Sequence, residues 1–162
     1  MSAAPRVWRA DLRDADTVAE LLVEFRDHIG RDWPSDNAFH FGVERMLERG
    51  EAEFLLAAPD DGGAAAAICQ LRFGFNLWRA GSECVLEDLY VQPGARRAGL
   101  GAALVQAALD RARERGCRWI ELDTYEDNEP AIALYQRFGF RFGRSGGKRD
   151  VVLARPLDAD AA

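Results

Sequence analysis

Two histidines and three cysteines are all that this 162-residue chain offers for imidazole or thiol chemistry. Cys69, Cys84 and Cys117 are odd in number, lack metal-ligand spacing and sit in strand-like surroundings, so they are expected as buried thiols, and no metal site is expected. Nothing pairs His28 or His40 with a thiol, which argues against a Cys–His nucleophile. Long apolar runs are missing too. No stretch approaches the roughly 20 residues that cross a bilayer, and the N-terminus lacks the apolar centre of a signal peptide, so a cytoplasmic protein with no membrane partner is expected. Basic residues are in deficit, 21 Lys and Arg against 27 Asp and Glu, and this acidic balance argues against a nucleic-acid partner in favour of neutral or cationic ones. Repeats, low-complexity linkers and internal boundaries are absent, so one domain over residues 1–157 is expected, followed by an Ala/Asp-rich tail at 158–162.

The pattern that is present alternates strands and helices. Arg6 to Asp11 reads as a strand, and Asp14 or Asp16 caps a helix with Val18, Leu21, Leu22, Phe25 and Ile29 on one face, ending at Gly30. A turn-rich loop, Arg31 to Asn37, leads to a second helix ending near Arg49-Gly50. Within that loop Trp33 is either a loop anchor or part of an acceptor pocket. Glu53 to Ala58 and Ala64 to Trp78 read as a hairpin around Pro59-Asp60-Asp61-Gly62-Gly63. In its second strand Cys69, Leu71, Phe73, Phe75 and Leu77 face a core and Gln70, Arg72, Gly74 and Asn76 face away. Cys84 to Val91 is apolar on both faces, with Val85, Leu89 and Val91 on one and Leu86 and Tyr90 on the other, which marks a central strand. Glu87 and Asp88 interrupt it. Two adjacent carboxylates there are costly unless one reaches solvent or a cleft, and alternation puts them on opposite faces unless a bulge intervenes.

Between Val91 and the next helix runs Gln92-Pro93-Gly94-Ala95-Arg96-Arg97-Ala98-Gly99-Leu100-Gly101. Glycines at alternate positions let backbone N–H groups converge, the following helix adds its positive dipole end, and Arg96 and Arg97 bring mobile cations, so the segment reads as a phosphate cradle. Close helix–sheet packing is the other reading of such glycines. No Gly-Lys-Ser or Gly-Lys-Thr follows, and Leu104 stands where a dinucleotide fingerprint has its third glycine, so neither of those motifs applies. The helix itself carries Leu100, Leu104, Ala107, Ala108 and Ala112 on an apolar stripe, with Asp110, Arg111, Arg113 and Glu114 toward water. Cys117 to Tyr125 is a strand, and Asn128-Glu129-Pro130 starts a helix ending at Gly139. Phe140 to Arg144 and Lys148 to Arg155 then form a last pair of strands.

The order β-α-α-β-β-β-α-β-α-β-β, together with Val91-x-Pro93-x-x-Arg96-x-x-Gly99-x-Gly101 and Asn128-x-x-Ala131-x-x-Leu134-Tyr135-x-x-x-Gly139-Phe140, resembles the GNAT superfamily of acetyl-CoA-dependent N-acetyltransferases. The resemblance implies an α/β (α+β) fold whose mixed sheet has splayed central strands. It implies an acyltransferase using acetyl-CoA, with coenzyme A pyrophosphate on Arg96, Arg97, Ala98, Gly99, Leu100, Gly101 and Ala102. The pantetheine arm would lie along Leu89, Tyr90 and Val91, and Asn128 would hydrogen-bond it or simply cap its helix. Tyr135 matches the family's general acid, which protonates the departing thiolate. Glu87 is the candidate base, directly or through water, because related polyamine acetyltransferases carry a similar Leu-Glu-Asp context; Asp88 is the other candidate, and structural pairing of either carboxylate is the alternative. A backbone N–H near Leu89 or Tyr90 would stabilise the tetrahedral oxyanion.

The implied reaction is direct attack of an amine in a ternary complex. A primary amine of pKa near 10.4 loses its proton at pH 7 at a cost of about 4.6 kcal/mol, which is why a base is needed. Acidic residues Glu24, Asp27, Asp32, Asp36, Glu87 and Asp88 favour a small cationic amine such as a polyamine, an aminoglycoside-like compound or a lysine side chain, with Trp33, Phe75 and Asp88 lining the acceptor site. Acetylation of an amino acid or a protein N-terminus, and a non-catalytic acyl-CoA-binding module, are the alternatives. Members of the superfamily are often dimers, and the C-terminal strands are where a homodimer would pair.

Overall fold

A computed structural model describes residues 4–145, 147–149 and 151–157 of the chain. Its centre is a five-stranded sheet in the order β1 (Arg6–Arg9), β2 (Glu53–Ala58), β3 (Ala67–Asn76), β4 (Gly81–Val91) and β5 (Trp119–Glu121). The first four strands are antiparallel neighbours. β5 runs parallel to β4, as it must after a helical crossover. Helices α1 (Ala15–His28) and α2 (Asp36–Arg49) precede β2, α3 (Leu100–Glu114) makes the crossover, and α4 (Glu129–Arg137) follows β5.

Alternation along the strands divides the core into two layers. Phe54, Leu56, Ile68 and Tyr90 point to α1 and α2, where Val18, Leu22 and Val43 meet them. Leu55, Cys69, Leu71, Cys84 and Leu86 point the other way, onto Leu100, Leu104 and Ala108 of α3. The sheet is thus covered on both sides. That corrects the one-sided reading of β3: residues 67–71 are all buried, and its apolar face leaves the core at Phe75, which is 70% exposed. Ile29, expected on the buried face of α1, lies just past the helix end and is exposed. Arg111, expected in water, turns back with Arg115 to the carboxylate of Glu53.

The ladder between β3 and β4 carries one irregularity. Ile68 faces Tyr90 and Gln70 faces Glu87, so Asp88 and Leu89 together oppose Cys69, and Asp88 takes a φ of 50°. This bulge re-sorts the side chains. Cys84, Leu86, Leu89 and Val91 all face α3, whereas Val85, Glu87 and Tyr90 face α1 and α2, which corrects the grouping that strict alternation gives.

β5 is three residues long rather than running from Cys117 to Tyr125. It pairs with β4 only across Glu83 to Val85, and the chain then departs through polar, exposed residues from Asp123 to Asn128. Among the described residues no strand pairs with that edge of β4 from Leu86 onward, so the central strands part there. The last pair of strands is also shorter than expected. β6 (Arg144–Ser145) and β7 (Lys148–Arg149) form a separate two-stranded ladder, while Phe140 to Gly143 and Val151 to Arg155 are not strand. Gly146 of the expected turn, Asp150 and the tail at 158–162 lie outside the described residues.

Candidate active site

The site is built where β4 ends, α3 begins and β5 leaves the sheet. Among the described residues no intramolecular acceptor meets the backbone N–H groups of residues 97–102, six in succession. Gly99, at the N-cap of α3, adopts a φ of 78°, and Arg97 a φ of 68°; left-handed residues in such a turn are the backbone feature of anion-binding nests. The side chain of Leu100 is core, so only its N–H is available, while Ala98 and Gly99 are exposed and Ala102 is half-buried. Gly101 has a packing role: a Cβ there would come within 3.3 Å of Leu134 on α4, 3.8 Å of Val91 and 4.0 Å of Leu89. Of the two readings of the glycines, packing describes Gly101, and the open N–H row around Gly99 fits an anion such as a pyrophosphate.

The two arginines differ. Arg96 is not mobile, since its Nε donates to the Val91 carbonyl at 3.3 Å and an Nη lies 3.1 Å from His28 Nε2 on α1. Arg97 makes no hydrogen bond or ion pair among the described residues and remains the loop's available cation. Leu89 and Val91 are half-buried under α3, lining the open edge of β4. The Tyr90 ring is buried, stacked on Phe25 at 5.3 Å and tilted against His28, so this residue can offer a ligand only its backbone. Asn128 stands at the N-cap position of α4 without capping it; its amide lies 3.4 Å from the Thr124 hydroxyl. The capping reading is therefore corrected, and the exposed side chain faces outward from the splayed segment.

Tyr135, on α4, is 9% exposed and lies edge-on to Phe140. Burial pushes its phenol up to about 12, with a smaller contribution from Cys69, the residue opposite the bulge. No hydrogen-bond partner meets its hydroxyl among the described residues. The proton therefore stays on the phenol through the physiological range, as a general acid requires. Glu87 lies on the opposite face of the sheet with Gln70, whose amide contacts Met46 of α2. Tyr135 and Glu87 do not touch.

Glu87 is already engaged: an Nη of Arg72 donates to its Oε1. Arg72 faces away from the α3 core, as alternation predicts; the pair itself shows only in the register, which sets Gln70 opposite Glu87 and Arg72 two residues further along the same face. Asp88 is exposed as a residue, yet enough protein surrounds its carboxyl that desolvation raises its pKa. Glu87 and Asp123 add like charge, and Arg72 opposes them.

The wider acidic surround is mostly paired. Asp27 and Asp36 bind Arg26 at 2.6 and 2.8 Å, and both Glu24 oxygens accept from Gln92. Trp33 and Phe75 are each more than two-thirds exposed, and no contact among the described residues joins them to Asp88 in one pocket. Trp33 does not anchor its loop either. Arg26 does, through Asp36 and a 2.6 Å bond to the Pro34 carbonyl. An open cavity of about 580 Å³ lies at the end of β1, lined by Arg9, Arg13, Leu47 and Glu53 among others, and no expected site residue borders it.

Residues 16–140 match the acetyltransferase (GNAT) family. The chain is 30% identical over 134 residues to an uncharacterised N-acetyltransferase, YhfO, of Bacillus subtilis, spanning 83% of this chain and 88% of that protein. It is 35% identical over 133 residues to a streptothricin acetyltransferase of Streptomyces lavendulae, spanning 81% of this chain and 62% of the relative. Among solved structures, that of a "probable acetyltransferase" superposes with a TM-score of 0.84 at 28% identity, covering 94% of this chain and 99% of the other. An open row of N–H groups at the start of α3, a bulged β4 left uncovered by β5 and a protonated phenol on α4 thus occur in a chain that belongs to the GNAT family of acetyltransferases.

Proposed function

We propose that the protein transfers an acetyl group from acetyl-CoA to the primary amine of a small cationic acceptor, by direct attack in a ternary complex. The feature that supports this best is the bulge in β4, with Glu87 next to it and the Tyr135 phenol within electrostatic reach of Cys69 opposite it, on a strand that pairs with β5 only as far as Val85. The family's donor is acetyl-CoA. The N–H groups of residues 97–102 with Arg97 would hold its pyrophosphate, the edge at Leu89, Tyr90 and Val91 would pair its arm, and Asn128 would hydrogen-bond the same arm. When bound, the thioester supplies the acyl carbon, which gains a C–N bond as its C–S bond breaks. Glu87 takes the proton that the ammonium must lose, directly or through water, and the Tyr135 phenol protonates the departing sulfur. Asp88, with no ion-pair partner among the described residues and with Glu87 and Asp123 near enough to add like charge, favours a cationic acceptor over an anionic one. Ion pairing with Arg26 removes Asp27 and Asp36 from that argument, which rests mainly on Glu87, Asp88 and Asp123.

Thiol release from acetyl-CoA, followed with spermidine, an aminoglycoside, L-lysine and an alanine-initiated tetrapeptide, tests the reading. Turnover with a polyamine or aminoglycoside supports it; turnover with the tetrapeptide alone moves the assignment to protein N-termini. Acetyl-CoA binding without any thiol release would leave an acyl-CoA-binding module. We also propose that two copies pair through the C-terminal segment, where Val151, Val152, Leu153 and Leu157 are exposed and β5 is an uncovered edge. A monomeric mass by light scattering would refute that pairing.

A further inference from the structure

Arg72 and Glu87 sit on the same face of adjacent strands, next to the bulge that opens β4 toward the gap. Glu87 faces Gln70, Arg72 faces Val85, and the guanidinium reaches diagonally to one carboxylate oxygen, Oε1. The glutamate's other oxygen makes no hydrogen bond among the described residues. The Arg72 side chain is 55% exposed and the Glu87 side chain 26% exposed, so the pair lies at a surface that a small acceptor can reach.

A charged fork fixed on one oxygen holds a carboxylate in one rotamer and leaves the second oxygen free to accept a proton. We propose that Arg72 is the positioning residue for the base: it holds Glu87 by Oε1 so that Oε2 meets the acceptor amine, directly or through one water. This deepens the acetyltransferase reading and rests on Glu87 as its base. The role differs from charge neutralisation, because a flexible glutamate several rotamers from its working geometry forfeits proximity even when it is ionised. It also differs from a structural ion pair, whose loss affects stability without touching kcat.

The test combines a spectroscopic readout that needs no acceptor with a kinetic cycle. In protein carrying ¹³C-labelled glutamate carboxyls, the Glu87 signal is identified by its loss in Glu87→Gln. It is expected to shift in Arg72→Gln and to return toward the parent position in Arg72→Lys. With the best acceptor of the amine panel, Arg72→Gln is expected to lower kcat by about tenfold or more, with KM for acetyl-CoA unchanged within about twofold, and Arg72→Lys to recover most of the loss. In the Glu87→Gln background, removing Arg72 is expected to cost nothing further. An unmoved carboxyl signal would show that the pair does not form, and an unchanged kcat, or equal losses in both backgrounds, would show that it does not position the base. Either overturns the proposal while leaving the acetyltransferase reading intact. Full activity in Glu87→Gln, or no amine turned over at all, removes Glu87 as the base and the positioning role with it.

Discussion

Glu53 shows at the level of single residues how a carboxylate is tied down when it has no catalytic work. Its side chain is 14% exposed and receives two bonds from Arg111, at 2.6 and 2.7 Å, and one from Arg115 at 2.8 Å. Desolvation alone would raise its pKa; the hydrogen bonds from Arg111 and Arg115 outweigh that, and the carboxyl is held below its usual value of 4.5. A depressed folded-state pKa contributes stability that is present above the unfolded value and lost as pH falls through the folded one. Glu53→Gln is therefore expected to lower unfolding free energy by about 1–3 kcal/mol at neutral pH, and by progressively less as pH falls below about 4.5. Urea melts at several pH values measure both the loss and its disappearance. Tyr135 presents the opposite case, a buried phenol with no partner among the described residues. Tyr135→Phe keeps the buried ring and removes the donor, so turnover is expected to fall by about a hundredfold to ten-thousandfold with acetyl-CoA affinity preserved. Since the phenol titrates at about 12, no basic limb in kcat is expected from it at ordinary assay pH.

Elements position these groups, and the loop from β4 to α3 is the clearest test. Gly94 adopts ordinary φ in open space, whereas Gly99 sits at a φ of 78°, so the same β-branched substitution should act differently at the two. Gly99→Val is expected to weaken acetyl-CoA binding by about tenfold or more, because the strain of roughly 1–3 kcal/mol is relieved by turning N–H groups away from their common focus. Gly94→Val should leave affinity unchanged, and calorimetric titration of acetyl-CoA separates the two. This loop was legible because glycine spacing between a strand and an amphipathic helix is a local signal. So was β2, whose ends fall at the residues that alternation and the flanking turn indicate. What could not be read was pairing between elements. The bulge at Asp88 exists only in the register between β3 and β4. Arg72 is solvent-exposed as its strand position indicates, but its partner Glu87 shows only in that register, and β5 is short because among the described residues no neighbouring strand holds the chain extended after Glu121. Asn128 illustrates the same limit: its type and position imply a cap, yet its side chain goes to Thr124.

At the scale of the whole molecule, the functional end is the less braced one. The two core layers meet through β2 and β3, while α4 leans on α3 at Gly101 and Leu134 and, among the described residues, the edge of β4 beyond Val85 has no strand beside it. A ligand that occupies that edge and the N-terminus of α3 ties together parts that the protein alone leaves apart, and it does so only in the folded state. Mass action then fixes the gain at about 2.7 kcal/mol when acetyl-CoA is at 100 times its dissociation constant. For a chain of this length that corresponds to a rise in Tm of roughly 5–10 °C. The increase is expected with coenzyme A as well as acetyl-CoA, because the contacts invoked are to pyrophosphate and arm rather than to the acetyl group. It should be roughly halved by the tenfold weaker binding of Gly99→Val and retained in Tyr135→Phe and Arg72→Gln, which act on the chemistry and not on the cradle. Thermal melts of the four proteins with and without coenzyme A provide the check, and an equal shift in all four would mean that the ligand binds somewhere other than the loop from Val91 to Gly101.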